Sequence, residues 1–116
     1  MEAESVSLRA YLDSASLLTT NRVAVVEVAR AARRRLGSTP EMPLPQMARF
    51  VVLEIDAASA ERAGAIGPPE LRALDAIHLA SALELGSDLA AFVSYDGRLS
   101  AAASALGLPV VSPGAT

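Results

Sequence analysis

Short apolar segments alternate with longer helical ones along the chain, and Gly and Pro residues separate them. Four segments are predicted to be strands because they are short, apolar and bounded by turn residues, namely 16–20, 50–55, 91–95 and 108–112. Five segments are predicted to be helices, namely 3–13, 21–35, 57–66, 70–85 and 98–106. An alternation of this kind is typical of an α/β fold with a mainly parallel sheet.

Size and composition predict a single domain over residues 1–116. Hydrophobic residues make up 52% of the chain, which is enough to form one hydrophobic core. Only 20% of the residues are charged, and this composition excludes a disordered or highly charged tail. The chain has no cysteine, so disulfides and thiolate metal or nucleophile sites are excluded. His78 is its one histidine, so any site that needs two imidazole ligands is also excluded. No apolar run approaches the ~20 residues that span a bilayer, and the acidic start lacks a secretory signal pattern. We therefore expect a cytoplasmic protein with no membrane partner.

The charge pattern does not favour binding of nucleic acid by bulk charge. The net charge is −3, and all ten basic residues are arginines. Arg30, Arg33, Arg34 and Arg35 lie at the end of the predicted 21–35 helix, where cations offset the helix dipole. A contact with phosphate or with a partner protein is the alternative explanation of this cluster.

Three carboxylates, Glu27, Asp75 and Asp96, are the candidates for chemistry. Asp96 directly follows the predicted strand 91–95, and ligands of open α/β sheets gather at the carboxyl ends of strands. Asp75 interrupts the apolar 70–85 helix, where a carboxylate is costly unless it is paired or bound to a metal. A site built from these acids would be all-oxygen, which suits Mg²⁺ or Mn²⁺ and phosphoryl chemistry.

Each of these acids also has a purely structural explanation. Asp96 could cap the helix that follows it, and Asp75 could complement the dipole of its own helix. Glu27 could pair with Arg30 three residues further on. His78 follows Asp75 by three residues and could share its helix face, where a hydrogen-bonded or packed histidine is more usual than a catalytic one.

Several stretches of the sequence carry a family resemblance. They read Val-Glu-Val-Ala-Arg-Ala at 26–31, Leu-Asp-Ala-Ile-His-Leu-Ala at 74–80 and Phe-Val-Ser-Tyr-Asp-Gly-Arg-Leu at 92–99, with a matching end at 105–113. Glu27 and Asp75 are 48 residues apart, and Asp75 and Asp96 are 21 apart. In words, order and spacing the chain resembles the PIN-domain family, and most of all the VapC-type toxins of bacterial toxin–antitoxin pairs.

The resemblance implies a three-layer domain with a mainly parallel sheet flanked by helices. It further implies an endoribonuclease that depends on Mg²⁺ or Mn²⁺, a cognate antitoxin that masks the site, and a homodimer or higher oligomer. Glu27, Asp75 and Asp96 take the places of the family's second, third and fourth acids, as catalytic and metal-binding residues. Ser94 matches a position where the family often has a hydroxyl near the site.

The chain departs from the family at its start, where a central strand usually ends in the first acid. Tyr11-Leu12-Asp13-Ser14-Ala15 looks like that motif, but Asp13 precedes Glu27 by only 14 residues and a predicted strand lies between them. Parallel neighbours need a crossover of about a dozen residues, so residues 4–14 match the helix before the family's second strand instead. We therefore expect a domain that lacks the first central strand and one of four carboxylates.

Two explanations of that departure remain open, a native start further upstream and a truncated or degenerate domain. The favoured function is a metal-dependent ribonuclease toxin. The alternative is a truncated or degenerate PIN domain that binds antitoxin or RNA without cleaving, and a third possibility is a small scaffold whose acids are only caps and surface pairs. Cleavage with divalent metal separates the first from the second, and metal binding separates the third from both.

Overall fold

The computed structural model describes residues 2–115, which contain five α-helices and four short strands in the predicted order. The helices are α1 (Glu2–Ser14), α2 (Arg22–Leu36), α3 (Ala57–Ala65), α4 (Ala73–Leu85) and α5 (Gly97–Ala105). The strands are β1 (Leu18–Asn21), β2 (Phe50–Leu53), β3 (Phe92–Val93) and β4 (Val110–Val111). The α/β class predicted from the alternation is confirmed. No helix within these residues is long and apolar enough to cross a membrane.

The element boundaries follow local capping chemistry. The side-chain oxygen of Asn21 accepts a hydrogen bond from the Ala24 amide and so begins α2, and Gly37 ends this helix with a φ of 74°. The predicted start of α4 at Glu70 is wrong by three residues. Residues 68–71 form a turn instead, in which the Leu71 amide donates to the Pro68 carbonyl at 3.0 Å. The predicted strands are also too long, since β3 and β4 each have two residues.

The strands form two separate parallel pairs rather than one sheet. β1 pairs with β2, with Leu18 opposite Phe50, and β3 pairs with β4, with Phe92 opposite Val110. Among residues 2–115 no strand joins one pair to the other. The predicted parallel pairing is confirmed, and its division into two pairs agrees with the expectation that a central strand is absent.

The segment around Asp13 is helical, as the alignment with the family requires. Asp13 lies in the last turn of α1, and its Oδ1 accepts from Nη1 of Arg49 at 3.3 Å. Nη2 of the same arginine donates to the Leu12 carbonyl at 3.1 Å. Asp13 is thus an exposed helix residue with a surface ion pair, and it does not follow a strand.

The core is centred on α4 and is built mainly from small side chains. Leu79 is completely buried, and Ala76, Ala80 and Ala82 are nearly so. α4 contacts α3, α2 and β1, while Ala103 brings the buried side of α5 into the core. Because α4 is enclosed from several sides, the polar residues on it are held in fixed positions, and two of the candidate site residues, Asp75 and His78, lie on it.

Replacing the most buried leucine is expected to destabilise the fold strongly. Leu79→Ala removes a fully buried side chain and leaves a cavity, which costs ~2–5 kcal/mol of unfolding free energy. Leu74→Ala makes the same change on the same helix at a side chain that is 50% exposed, so it should cost less than ~1 kcal/mol. Urea denaturation of both variants measures the difference, and equal losses would contradict a core centred on Leu79.

The two strand pairs are expected to promote self-association. β1 and β3 each pair along one edge only in the described residues, and unpaired edges recruit strands from other molecules. Sedimentation velocity over a range of protein concentrations should therefore show dimers or larger species. A monodisperse monomer that unfolds cooperatively at every concentration would contradict this expectation.

Candidate carboxylate site

The three candidate acids lie on three different helices. Glu27 is on α2 with 45% of its side chain exposed, and Asp75 is half-buried in the first turn of α4. Asp96 follows β3 directly and is the exposed N-cap of α5. The acids therefore come from separate parts of the sequence, as predicted, and each is placed by the start or the packing of a helix.

Glu27 is held by His78 rather than by its own helix. Its Oε1 lies 2.7 Å from Nε2 of His78, whose side chain is only 19% exposed. The ion pair with Arg30 considered from the sequence is wrong, since within residues 2–115 neither a hydrogen bond nor a salt bridge joins these two side chains. The actual partner is 51 residues away along the chain, so this contact ties α2 to α4.

His78 is held in turn by Asn21. Nδ2 of Asn21 lies 3.1 Å from Nδ1 of His78, and it also donates to Oγ of Ser81 at 3.0 Å. Asn21 is 3% exposed and Ser81 is 7% exposed, so these hydrogen bonds lie away from solvent. The sequence predicts a cap of the 21–35 helix at Thr20 or Asn21 and indicates no further role for Asn21 and none for Ser81. A polar residue three positions after His78 on an apolar helix was the one available signal.

Asp96 caps α5, which confirms the structural explanation of this residue. Its Oδ1 accepts from the backbone amides of Arg98 at 2.8 Å and Leu99 at 3.0 Å. The hydrogen bond from Leu99 holds the pKa of the Asp96 carboxyl below its ordinary value, with further help from the Arg98 amide and from the charges of Arg72 and Arg98. A cap uses one oxygen of the carboxylate, so capping and ligand binding are compatible.

Ser94 forms hydrogen bonds with the backbone of the turn that contains Asp96. Ser94 is 6% exposed, and its Oγ accepts a hydrogen bond from the Asp96 amide at 3.2 Å. Its carbonyl accepts from Oγ of Ser112, the residue that directly follows β4. The hydroxyl that the resemblance places near the site thus acts on the backbone between β3 and α5.

The first two turns of α4 contain Asp75 and lie near a residue that acts on each of the other two acids. The charge of Arg72, just before α4, acts on Asp96, and His78 one turn into α4 contacts Glu27. Asp75 lies between these two positions on the helix and makes no hydrogen bond or ion pair within the described part of the chain. Both of its carboxylate oxygens are therefore available to a ligand.

The acids do not assemble a metal centre by themselves. Residues 2–115 contain no group of three or more His, Asp or Glu side chains close enough to hold an ion. The donor type fits Mg²⁺ or Mn²⁺, because carboxylate oxygens are the ligands that these hard cations prefer. The chemistry of the donor set thus fits such a metal, while the three carboxylates belong to three different helices and are not close enough together in the described residues to hold an ion.

Two other surfaces do not include these acids. An apolar groove of about 590 Å³ lies between α3 and the start of α4, with Ile66, Leu71 and Ile77 in its lining. The cluster of Arg30, Arg33, Arg34 and Arg35 is exposed near the end of α2, and none of the four forms an ion pair within the described residues. A contact of this cluster with phosphate or a partner remains a prediction.

Comparison with known proteins finds a family and named relatives. The PIN domain profile matches residues 2–105. The chain is 38% identical to Ribonuclease VapC46 of Mycobacterium tuberculosis H37Rv, with 97% of this chain and 86% of that protein aligned. It is 43% identical to Ribonuclease VapC35 of the same strain, with 98% and 87% aligned. No solved structure matches the chain significantly.

The Asp96 cap should make the stability of the fold depend on pH at the acid end. The folded pKa of Asp96 lies below its ordinary value of 3.8, so the unfolded state binds a proton first as the pH falls. The stabilisation is therefore complete above about pH 5 and is lost as the pH falls through the folded pKa. Asp96→Asn keeps a capping oxygen without the charge, so urea midpoints at pH 7 and pH 3 should differ less than in the unsubstituted chain. An unchanged difference would contradict this assignment.

Proposed function

Because the chain belongs to the PIN-domain family, we propose that it is a metal-dependent endoribonuclease toxin of a type II toxin–antitoxin system. It would hydrolyse phosphodiester bonds in RNA. The relatives named above are ribonucleases, and they align over nearly the whole chain. The alternative of a degenerate domain that binds without cleaving has no observation in its favour.

The Asp75 carboxylate at the start of α4, half-buried and without a hydrogen-bond or ion-pair partner in the described residues, is the structural observation that supports this function best. Glu27 contacts α4 through His78, the charge of Arg72 acts on Asp96, and Asp75 lies between Arg72 and His78 along the chain. A half-buried carboxylate without a partner is costly, so a cation bound at Asp75 would offset a cost that the chain itself carries. The N-terminus of α4 adds a partial positive charge there, which suits the carboxylate of Asp75 and the phosphate of a substrate.

We assign the metal to Mg²⁺ or Mn²⁺ and its ligands to Glu27, Asp75 and Asp96, directly or through water. Metal dependence is typical of PIN-domain nucleases. Such an ion would lower the pKa of an attacking water and offset the charge that builds up on the scissile phosphate. The sequence leaves the choice between the two ions open, because both prefer oxygen ligands.

Each acid has a separate part in this proposal. Asp75 offers two oxygens without competing hydrogen bonds, so it is the central ligand. Asp96 has Oδ1 engaged in the cap of α5, which leaves Oδ2 for the metal or its waters and fixes the direction in which that oxygen lies. Glu27 has Oε1 engaged by His78, which leaves Oε2.

The partners follow from the same proposal. The substrate is RNA, and the regulator is a cognate antitoxin protein that covers the acids in a homodimer or larger assembly. An antitoxin would direct a basic side chain towards the carboxylates and lay an apolar segment alongside them. We accordingly propose that the protein acts in the cytoplasm.

Cleavage of RNA by the purified chain tests this function. We expect cutting with Mg²⁺ or Mn²⁺ that stops in EDTA. Asp75→Asn and Asp96→Asn should each reduce the rate at least ~100-fold, because even residues that only support metal ligands are worth 10–100-fold. Asp96→Asn keeps a capping oxygen, so its loss of activity would be due to the missing charge.

Asp56→Asn is the matched control. Asp56 caps α3 as Asp96 caps α5, with its Oδ1 accepting from the Ser59 amide at 2.9 Å. Ser59 contacts Glu84 near the other end of α4, away from the three acids. Asp56→Asn should therefore leave cleavage unchanged. Cutting that survives EDTA or Asp75→Asn, or no cutting of any RNA with either metal, would overturn the proposed function.

A further inference from the structure

We propose that Asn21 and His78 are positioning residues that hold the Glu27 carboxylate in the orientation in which it binds metal. This inference rests on the proposed function, since it assigns Glu27 a ligand. Neither residue touches the reacting atoms in this proposal. They act through Glu27. A continuous series of hydrogen bonds runs from Asn21 at the start of α2 to His78 on α4, and from His78 back to Glu27 in the second turn of α2.

The orientation of the Asn21 amide is fixed by the helix that it caps. Its Oδ1 accepts from the Ala24 amide at 2.9 Å, and a backbone N–H can only donate. The oxygen must therefore face α2, and the NH₂ group must face His78 and Ser81. Oγ of Ser81 gives its own hydrogen to the Ile77 carbonyl at 3.0 Å, so it can accept from Asn21. Both amide hydrogens then have partners.

This arrangement selects one tautomer of His78. Since Nδ2 of Asn21 donates, Nδ1 of His78 must be the nitrogen that accepts, and the hydrogen of the neutral ring lies on Nε2. That hydrogen is aimed at Oε1 of Glu27, 2.7 Å away. The opposite tautomer would place a donor against the Asn21 amide and a lone pair against the carboxylate. The cap of α2 thus decides which nitrogen faces Glu27.

A fixed donor matters because Glu27 is otherwise a long side chain near solvent. With 45% of the side chain exposed, its rotamers would be free to exchange, and each binding event would have to order them. A hydrogen bond from a half-buried ring on α4 selects one rotamer beforehand and leaves Oε2 for a ligand. Hydrogen-bonded supports of this kind orient metal-binding carboxylates and are worth 10–100-fold in affinity or activity.

The tautomer can be observed directly, because His78 is the only histidine in the chain. Protein labelled with ¹⁵N-histidine gives the signals of one imidazole, and we expect an unprotonated Nδ1 and a protonated Nε2. Asn21→Ser keeps a capping oxygen at the start of α2 but removes the amide donor, so both tautomers should then be populated. Asp56→Ser makes a similar change at the cap of α3 and should leave the spectrum unchanged.

Metal titration tests the consequence for Glu27. Calorimetry with Mn²⁺ should show binding weakened about 10–100-fold in His78→Leu, which removes the donor. His78→Gln places an amide N–H at about the reach of Nε2 and should restore most of that affinity. Asn21→Ser should fall between these two, and Asp56→Ser should bind as the unsubstituted chain does. RNA cleavage by the same proteins should rank them in the same order.

The outcomes separate this inference from the function on which it rests. If the unsubstituted chain binds Mn²⁺ but His78→Leu and Asn21→Ser bind it equally well, the positioning role is wrong while the metal site stands. A protonated Nδ1 in the unsubstituted chain would also overturn the inference, whatever the metal does. If the unsubstituted chain neither binds Mn²⁺ nor cuts RNA, the proposed function itself fails and the inference fails with it.

Discussion

The burial of α4 is the constraint on which the rest of the molecule depends. Leu79 and Ala80 have almost no exposed surface, and the neighbouring small residues let α2, α3 and β1 approach the helix closely. A helix enclosed in this way cannot rotate or slide without breaking the core. Polar groups at its first two turns therefore have fixed positions, which side chains on a surface helix would lack.

In this chain, residues that cap helices also belong to the proposed site or support it. Asp96 begins α5 with the oxygen that it offers to backbone amides, and Asn21 begins α2 in the same way. We propose that Asp96 also binds the metal and that Asn21 also orients His78. The cap of α5 uses Oδ1 of Asp96 and leaves Oδ2, so the cap and ligand explanations of Asp96 do not exclude each other.

The elements and the three acids could be predicted because they depend on local signals. Gly37 and Asn21 mark the ends of α2, and the acid inside apolar α4 is anomalous without any knowledge of the fold. The partner of Glu27 could not be predicted, because proximity within a helix favoured Arg30 whereas packing brought His78 from 51 residues away. The division of the sheet depends equally on long-range pairing, since each short strand looks the same in sequence whether or not it has a second neighbour.

Asn21 is at once the last residue of β1, the cap of α2 and the partner of His78. Helix ends open more often than helix middles, and the opening of this one breaks the bond to the Ala24 amide. Once that bond breaks, the Asn21 side chain is free to turn, and the histidine loses the contact that orients it. The opening of this helix end is therefore coupled to the orientation of the histidine that contacts Glu27. The exchange of the Ala24 amide hydrogen reports how often this cap opens in the resting protein.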